Sequence, residues 1–210
     1  MMKIVPALLT DKPAELERMI RQAEGFCGLV QVDIMDGKFV PSKSVSAADL
    51  AKIRTGLELE IHIMVEDPSN YILPFKKAGA GRIVFHLESK DDPAEVIKNI
   101  RAQGMQAGIA INPETPVSKA EPYFKDIDIL LFLSVNPGYY GSKFIPEVCD
   151  KARSLKGRKD RPLIAMDGGL KSDNIVMIRD AGVDLACVGS GVFGKGDPAQ
   201  NYRALTEMLG

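Results

Sequence analysis

KIVPALLTDKPAELERMIRQAEGFCGLVQVDI, residues 3–34, carries the pattern that decides the fold. It opens on a short apolar run, KIVPALL, and breaks at Thr10 and Asp11. Apolar residues then return at helical spacing as Leu16, Met19, Ile20 and Ala23, before a second apolar run, GLVQVDI. Asp11 with Pro13 marks the helix start, because proline's fixed φ suits a first turn whose amides have no intrahelical partner. A strand, a helix and a second strand in this order predict two parallel strands joined by a crossover helix.

The same alternation recurs to the end of the chain. LEIHIMV (59–65), RIVFHLE (82–88), QAGIAIN (106–112), DILLFLSV (128–135), PLIAMD (162–167) and DLACVG (184–189) bring the strands to eight. Several are continuously apolar, as expected where both faces of a parallel sheet are covered. Between them, Asp67-Pro68, Asp92-Pro93 and Asp197-Pro198 predict helix starts in which the aspartate accepts orphan amide hydrogens. Val96, Ile97 and Ile100 share one helix face that stops at Gly104, and Val148, Ala152 and Leu155 share another. SKAEPYFKD (118–126) is read as the fifth helix despite Pro122. Eight such units with short connections, and no GxGxxG turn after the first strand, predict an α/β fold. It is a single (β/α)8 barrel domain over residues 1–210 rather than an open doubly wound sheet.

Composition narrows the function classes. The chain has 210 residues, 45% hydrophobic, with 27 basic and 28 acidic side chains and a net charge of −1. That dispersed balance offers no surface for nucleic acid or an anionic membrane. No apolar run approaches the ~18 residues that span a bilayer, and the N-terminus reads as a strand rather than a signal peptide, so a cytoplasmic location is expected. Cys27, Cys149 and Cys187 are odd in number and widely spaced, which argues against a disulfide framework. Cys187, inside DLACVG, reads as a buried structural thiol.

In a barrel of this kind the active site lies at the C-terminal strand ends. Strand two ends in Gln31 and Asp33, which share a face because side chains alternate, followed by the Met35-Asp36-Gly37 turn. Asp36 is read as turn chemistry. Strand three carries His62 and Met64, and strand four ends with His86 and Glu88. Strand five ends at Asn112, strand six at Ser134 and Asn136, and strand seven at Asp167. A lone histidine such as His62 is more often a hydrogen-bonded core residue than a ligand; Asp33 and Asp167 in comparable positions are what favour a site. Gly168-Gly169 after strand seven and Gly189-Ser190-Gly191 after strand eight fall where such barrels bind phosphate. Without side chains, backbone amides there can approach phosphate oxygens. The ligand is therefore expected to be a small phosphorylated molecule that reacts near Asp33 and Asp167.

VDIMDGKFVPS, HIMVEDP, INPETP, LSVNPGYYG, MDGGLKSDNI and VGSGVFG together resemble the ribulose-phosphate 3-epimerase family nearly end to end. The resemblance implies an isomerase that inverts C3 of a ketose phosphate, with Asp33 and Asp167 as a two-base acid/base pair. It implies a divalent metal (Zn, Mn, Fe or Mg) held by Asp33, His62, Asp167 and the position of Gln31. Met35 and Met64 would line the site; Gly138, Gly141, Gly168, Gly169, Gly189 and Ser190 would hold substrate and phosphate. Family members are often oligomeric, so a homo-oligomer is possible. The family normally has histidine at position 31, serine at Ala7, a third methionine at Leu133, glycine at Tyr140 and often histidine at Lys38. Most of these departures surround the metal or ligand, and an amide oxygen is a poorer zinc ligand than imidazole, better suited to a harder ion. The expectation is a divergent member with a weakened metal site. Two other readings stay open. One is a sugar-phosphate lyase or decarboxylase resembling hexulose-phosphate synthase or orotidine-phosphate decarboxylase; their strand-three Asp-x-Lys-x-x-Asp is absent from His62–Asp67. The other is a catalytically degenerate barrel that senses a sugar phosphate.

Overall fold

The computed structural model describes residues 2–136 and 143–210. Eight strands, β1 (Lys3–Leu8), β2 (Leu29–Met35), β3 (Glu58–Met64), β4 (Arg82–His86), β5 (Gln106–Ile111), β6 (Ile129–Leu133), β7 (Leu163–Asp167) and β8 (Leu185–Val188), pair in sequence order. All pairs are parallel, and β1 closes on β8 through Lys3–Leu185 to Pro6–Val188. The (β/α)8 barrel expected from the alternation is the fold.

Helices α1 (Pro13–Ala23), α2 (Ala47–Leu50), α3 (Ser69–Lys77), α4 (Pro93–Ala102), α5 (Val148–Leu155), α6 (Ile175–Asp180), α7 (Ser190–Phe193) and α8 (Pro198–Glu207) follow the strands. On α1, Leu16, Met19, Ile20 and Ala23 are buried, as their spacing predicted. The main core lies between strands and helices: Val30 and Val32 of β2, and Leu59, Ile61 and Ile63 of β3, face outward into it. Period-two alternation therefore turns Gln31, Asp33, Glu60 and His62 into the barrel. There a second, smaller apolar cluster, including Val84, Ala110, Ile129 and Cys187, fills the floor.

Three local expectations change. Residues 118–126 form two 3₁₀ turns, Val117–Lys119 and Glu121–Tyr123, instead of a helix. Pro122 has no N–H to donate, and its ring clashes with the preceding turn. At α1 the capping position is Lys12 with no side-chain cap; Thr10 Oγ1 instead accepts from the Lys12 amide. At α3 the carboxylate that accepts the Ser69 amide belongs to Asp91 rather than Asp67. Asp92 and Asp197 cap α4 and α8 as expected. No helix among the described residues is long and apolar enough to cross a membrane.

Candidate active site

The register of β2 against β3 sets Asp33 beside His62, and Asp167 reaches the same point from the end of β7. Gln31 Nε2 donates to Asp33 Oδ1 and to Asp167 Oδ2, both at 2.8 Å. His62 Nδ1 faces the same two oxygens at 3.1 and 3.3 Å. Four side chains from β2, β3 and β7 thus converge on one buried spot. Ligand atoms of Asp33, His62 and Asp167 lie within 4.8 Å of one another, a spacing that can hold a metal ion.

Behind His62 runs a relay. His62 Nε2 lies 3.0 Å from His86 Nε2, and His86 Nδ1 lies 3.3 Å from Glu88 Oε2. Glu88 Oε1 also accepts from the Asn112 amide and the Thr115 hydroxyl. One proton placement satisfies every member: His86 donates from Nδ1 to Glu88 and accepts at Nε2, so His62 donates from Nε2. That leaves His62 Nδ1 either protonated toward the aspartates or bare toward a cation. Outer partners that fix a ligating ring in this way are usual in metal sites.

The electrostatics agree. Burial, reinforced by the charge of Asp167, pushes Asp33 up to about 6. Burial opposes charge on His62, but hydrogen bonds to Asp167 and Asp33 outweigh it and hold the ring at about 10. Burial lowers His86, against the pull of Glu88. Glu88 goes to about 2, because the donors from His86, Thr115 and Asn112 overcome its burial.

The donor set fits a cation with one qualification. Two carboxylates and an imidazole are ordinary divalent ligands, but Gln31 presents its NH2 to them, while its Oε1 is buried without a partner. A terminal carboxamide is nearly two-fold in shape, so turning it over offers the oxygen instead.

Of the other expected residues, Met35 and Met64 pack together with Val40, Leu9 and Phe39 at the barrel mouth. Asp36 is a turn residue, as read: its Oδ1 accepts from Lys38 and Phe39 and its Oδ2 from the Glu66 amide. Gly168 and Gly169 adopt φ of +108° and +69°, a path that glycine takes at little steric cost. Gly189 immediately precedes α7, which starts at Ser190. Gly138, Gly141 and Tyr140 lie outside the described residues. His86, Glu88 and Ser134 stand at strand ends, where sequence alone assigns them no role. Ser134 Oγ lies 2.8 and 2.7 Å from the carbonyl oxygens of Asp167 and Gly168, pinning the strand end that carries the carboxylate. The i, i+2 spacing of His86 and Glu88 was the signal available for the relay.

A family model described as the ribulose-phosphate 3 epimerase family matches residues 3–193. The ribulose-phosphate 3-epimerase of Bacillus subtilis (strain 168) is 36% identical, covering 100% of this chain and 99% of its own length. The cytoplasmic isoform from Oryza sativa subsp. japonica is also 36% identical, over 99% of this chain and 94% of its own. Among solved structures, a 3-hexulose-6-phosphate synthase from Salmonella typhimurium superposes with a TM-score of 0.73 at 16% identity, covering 99% and 98% of the two chains. An orotidine 5'-phosphate decarboxylase from Pyrococcus horikoshii OT3 gives 0.68 at 14%, over 98% of each. At such identities these two structures speak for the fold alone.

Proposed function

The chain belongs to the ribulose-phosphate 3-epimerase family, and from that premise we propose that it interconverts ribulose 5-phosphate and its C3 epimer, or a close ketose-phosphate analogue, with Asp33 and Asp167 as the two bases. The observation that carries the assignment is the convergence of both carboxylates on Gln31 Nε2 at 2.8 Å from β2 and β7, two strands separated in the closed barrel by β1 and β8.

The C3 hydrogen is acidified by the neighbouring C2 ketone. One carboxylate removes it from one face, leaving a planar enediolate. The other, protonated, returns a proton to the opposite face, and the configuration inverts. This requires one base and one acid together, which a coupled pair supplies. Burial and the like charge of Asp167 hold Asp33 at about 6, so it can exchange a proton near neutrality in either direction. Asp33 Oδ1 and Asp167 Oδ2 are engaged by Gln31 and His62; we assign the proton work to the second oxygen of each. A divalent cation bound by Asp33, His62, Asp167 and Gln31 would supply Lewis-acid stabilisation of the enediolate oxygens. Met35 and Met64, packed together at the ends of β2 and β3, are assigned to the wall of the site. Gly168, Gly169, Gly189 and Ser190 are assigned to the phosphate, with the first-turn amides at Ser190 lacking intrahelical acceptors.

A cleft of about 640 Å³, lined in part by Thr10, Lys12, Met35 and Lys43, opens beside the methionine wall, so longer ketose phosphates belong in the test. Ribulose 5-phosphate and six-carbon analogues are incubated with the protein in deuterated water, with and without chelator. Deuterium at C3 of the epimeric product is expected. No exchange with any candidate, alongside measurable binding of the sugar phosphates, would replace the enzyme by a sensor.

A further inference from the structure

Two buried acceptors stand without partners on register-paired residues: Gln31 Oε1 on β2 and Glu60 Oε1 on β3. Both side chains turn into the barrel. Glu60 is fully buried and its other oxygen, Oε2, takes Arg82 Nη1 at 2.5 Å. A buried acceptor without a partner is costly, so two on one register pair call for an explanation. Turning the Gln31 amide over puts its oxygen between Asp33 Oδ1 and Asp167 Oδ2 and its NH2 away from them, available to an acceptor; Glu60, its register partner on β3, has one idle. That arrangement places three oxygens together and needs a cation among them.

We propose that Glu60 orients Gln31 so that its amide oxygen completes a cation site of three oxygens and one imidazole nitrogen, shifting selectivity away from Zn²⁺ toward harder ions such as Mn²⁺ and Mg²⁺. The inference deepens the epimerase reading and rests on it. The donor chemistry supports it: an amide oxygen in place of an imidazole nitrogen makes three of the four donors hard oxygens. Zinc still binds nitrogen and oxygen sites more tightly than manganese in absolute terms. What changes is the ratio.

Competition with a chromophoric chelator measures the Zn²⁺ and Mn²⁺ dissociation constants of wild type, Gln31→His, Glu60→Leu and Glu60→Gln, with thermal melting as the folding control. Gln31→His is expected to raise the Zn²⁺-over-Mn²⁺ affinity ratio at least about tenfold. Glu60→Leu is expected to weaken Mn²⁺ about tenfold, in the range of outer-partner effects, and Glu60→Gln, which keeps an acceptor oxygen, to restore most of it. An unchanged ratio in Gln31→His overturns the inference, even if Glu60→Leu fails to fold. Equal Mn²⁺ affinities in a folded Glu60→Leu overturn the orienting role. If wild type binds neither ion up to millimolar concentration, the cation reading falls too. C3 deuterium exchange in chelator then reports separately whether the epimerase reading stands.

Discussion

Replacing Asp167 by asparagine separates the two halves of the proposed proton transfer. Asparagine keeps an oxygen that can accept the 2.8 Å bond from Gln31 Nε2, and the backbone carbonyl held by the Ser134 amide is untouched. The lost stability is the charge-assisted part of that bond and of the 3.3 Å contact with His62, together about 1–2 kcal/mol. Relief of the like-charge repulsion that raises Asp33 works the other way. The melting temperature should therefore move by no more than about 4 °C. Catalysis should fall much further, because an amide can neither give nor take the proton at this face. Loss of one acid/base group costs about 10²–10⁴ in rate, and a thousandfold loss corresponds to about 4 kcal/mol of transition-state stabilisation. The assay is proton NMR of each C3 epimer incubated separately in deuterated water. Wild type should label the product of both. The variant should exchange the C3 hydrogen only of the epimer that presents it to Asp33, with epimerisation down at least about a thousandfold. Exchange of both epimers at equal rates, or epimerisation within tenfold of wild type, would refute two-base transfer through Asp33 and Asp167.

Three further outcomes follow from neighbouring groups. Asp33 is raised to about 6, and two-base transfer needs one carboxyl protonated and the other ionised, so the singly protonated pair is lost as pH rises through that value. The kcat/KM of the free enzyme should then decline by up to about tenfold per pH unit above 6, and a profile flat from about pH 6 to 8 would contradict the assignment. Glu88 is depressed to about 2, so the stability it lends is present above its ordinary value of 4.5 and lost as pH falls toward 2. With its side chain 24% exposed, Glu88→Gln should cost roughly 2 kcal/mol at neutral pH after solvent screening. Urea unfolding at pH 7 and pH 2.5 should show that difference shrink at the lower pH. Gly168→Ala forces a Cβ to 2.7 Å from Val135 Cγ2 at a φ of +108°, a strain of about 1–3 kcal/mol. It should raise KM for the phosphorylated substrate, and an unchanged KM with unchanged melting would remove this turn from the site.

The sequence revealed the barrel because its signals are local. Each strand is a contiguous run, and α1 announces itself through four apolar residues at helical spacing. The errors were local too. Pro122 sits in a segment whose length suggested a helix but whose missing N–H forbids one. Caps shifted by a residue at α1 and to a different aspartate at α3, because Thr10 and Asp91 compete for amides that Asp11 and Asp67 were expected to take. Gln31, Asp33, His62 and Asp167 were legible as polar residues ending or interrupting apolar runs. The relay was not. His62 and His86 lie 24 residues apart and meet only because β3 and β4 pair with a particular register. Glu60 likewise interrupts an apolar strand visibly, but its partner Arg82 is set by the β3–β4 register, which leaves its other oxygen idle.

Charge clarifies why a glutamine can occupy position 31 at all. Two buried carboxylates cannot both ionise without compensation. The structure compensates them with His62, held protonated to about 10 by the aspartates themselves, and with two N–H donors from Gln31. A divalent cation would take over that compensation in full, with His62 neutral and donating only toward His86. Histidine and glutamine are both neutral ligands, so exchanging one for the other leaves the charge balance of the cluster unchanged. What differs is the donor atom and what must hold it. An imidazole offers nitrogen whichever way its second N–H is held. An amide offers oxygen only if something accepts its hydrogens on the far side. Glu60, buried with one oxygen to spare beside Gln31, is the residue placed to do that.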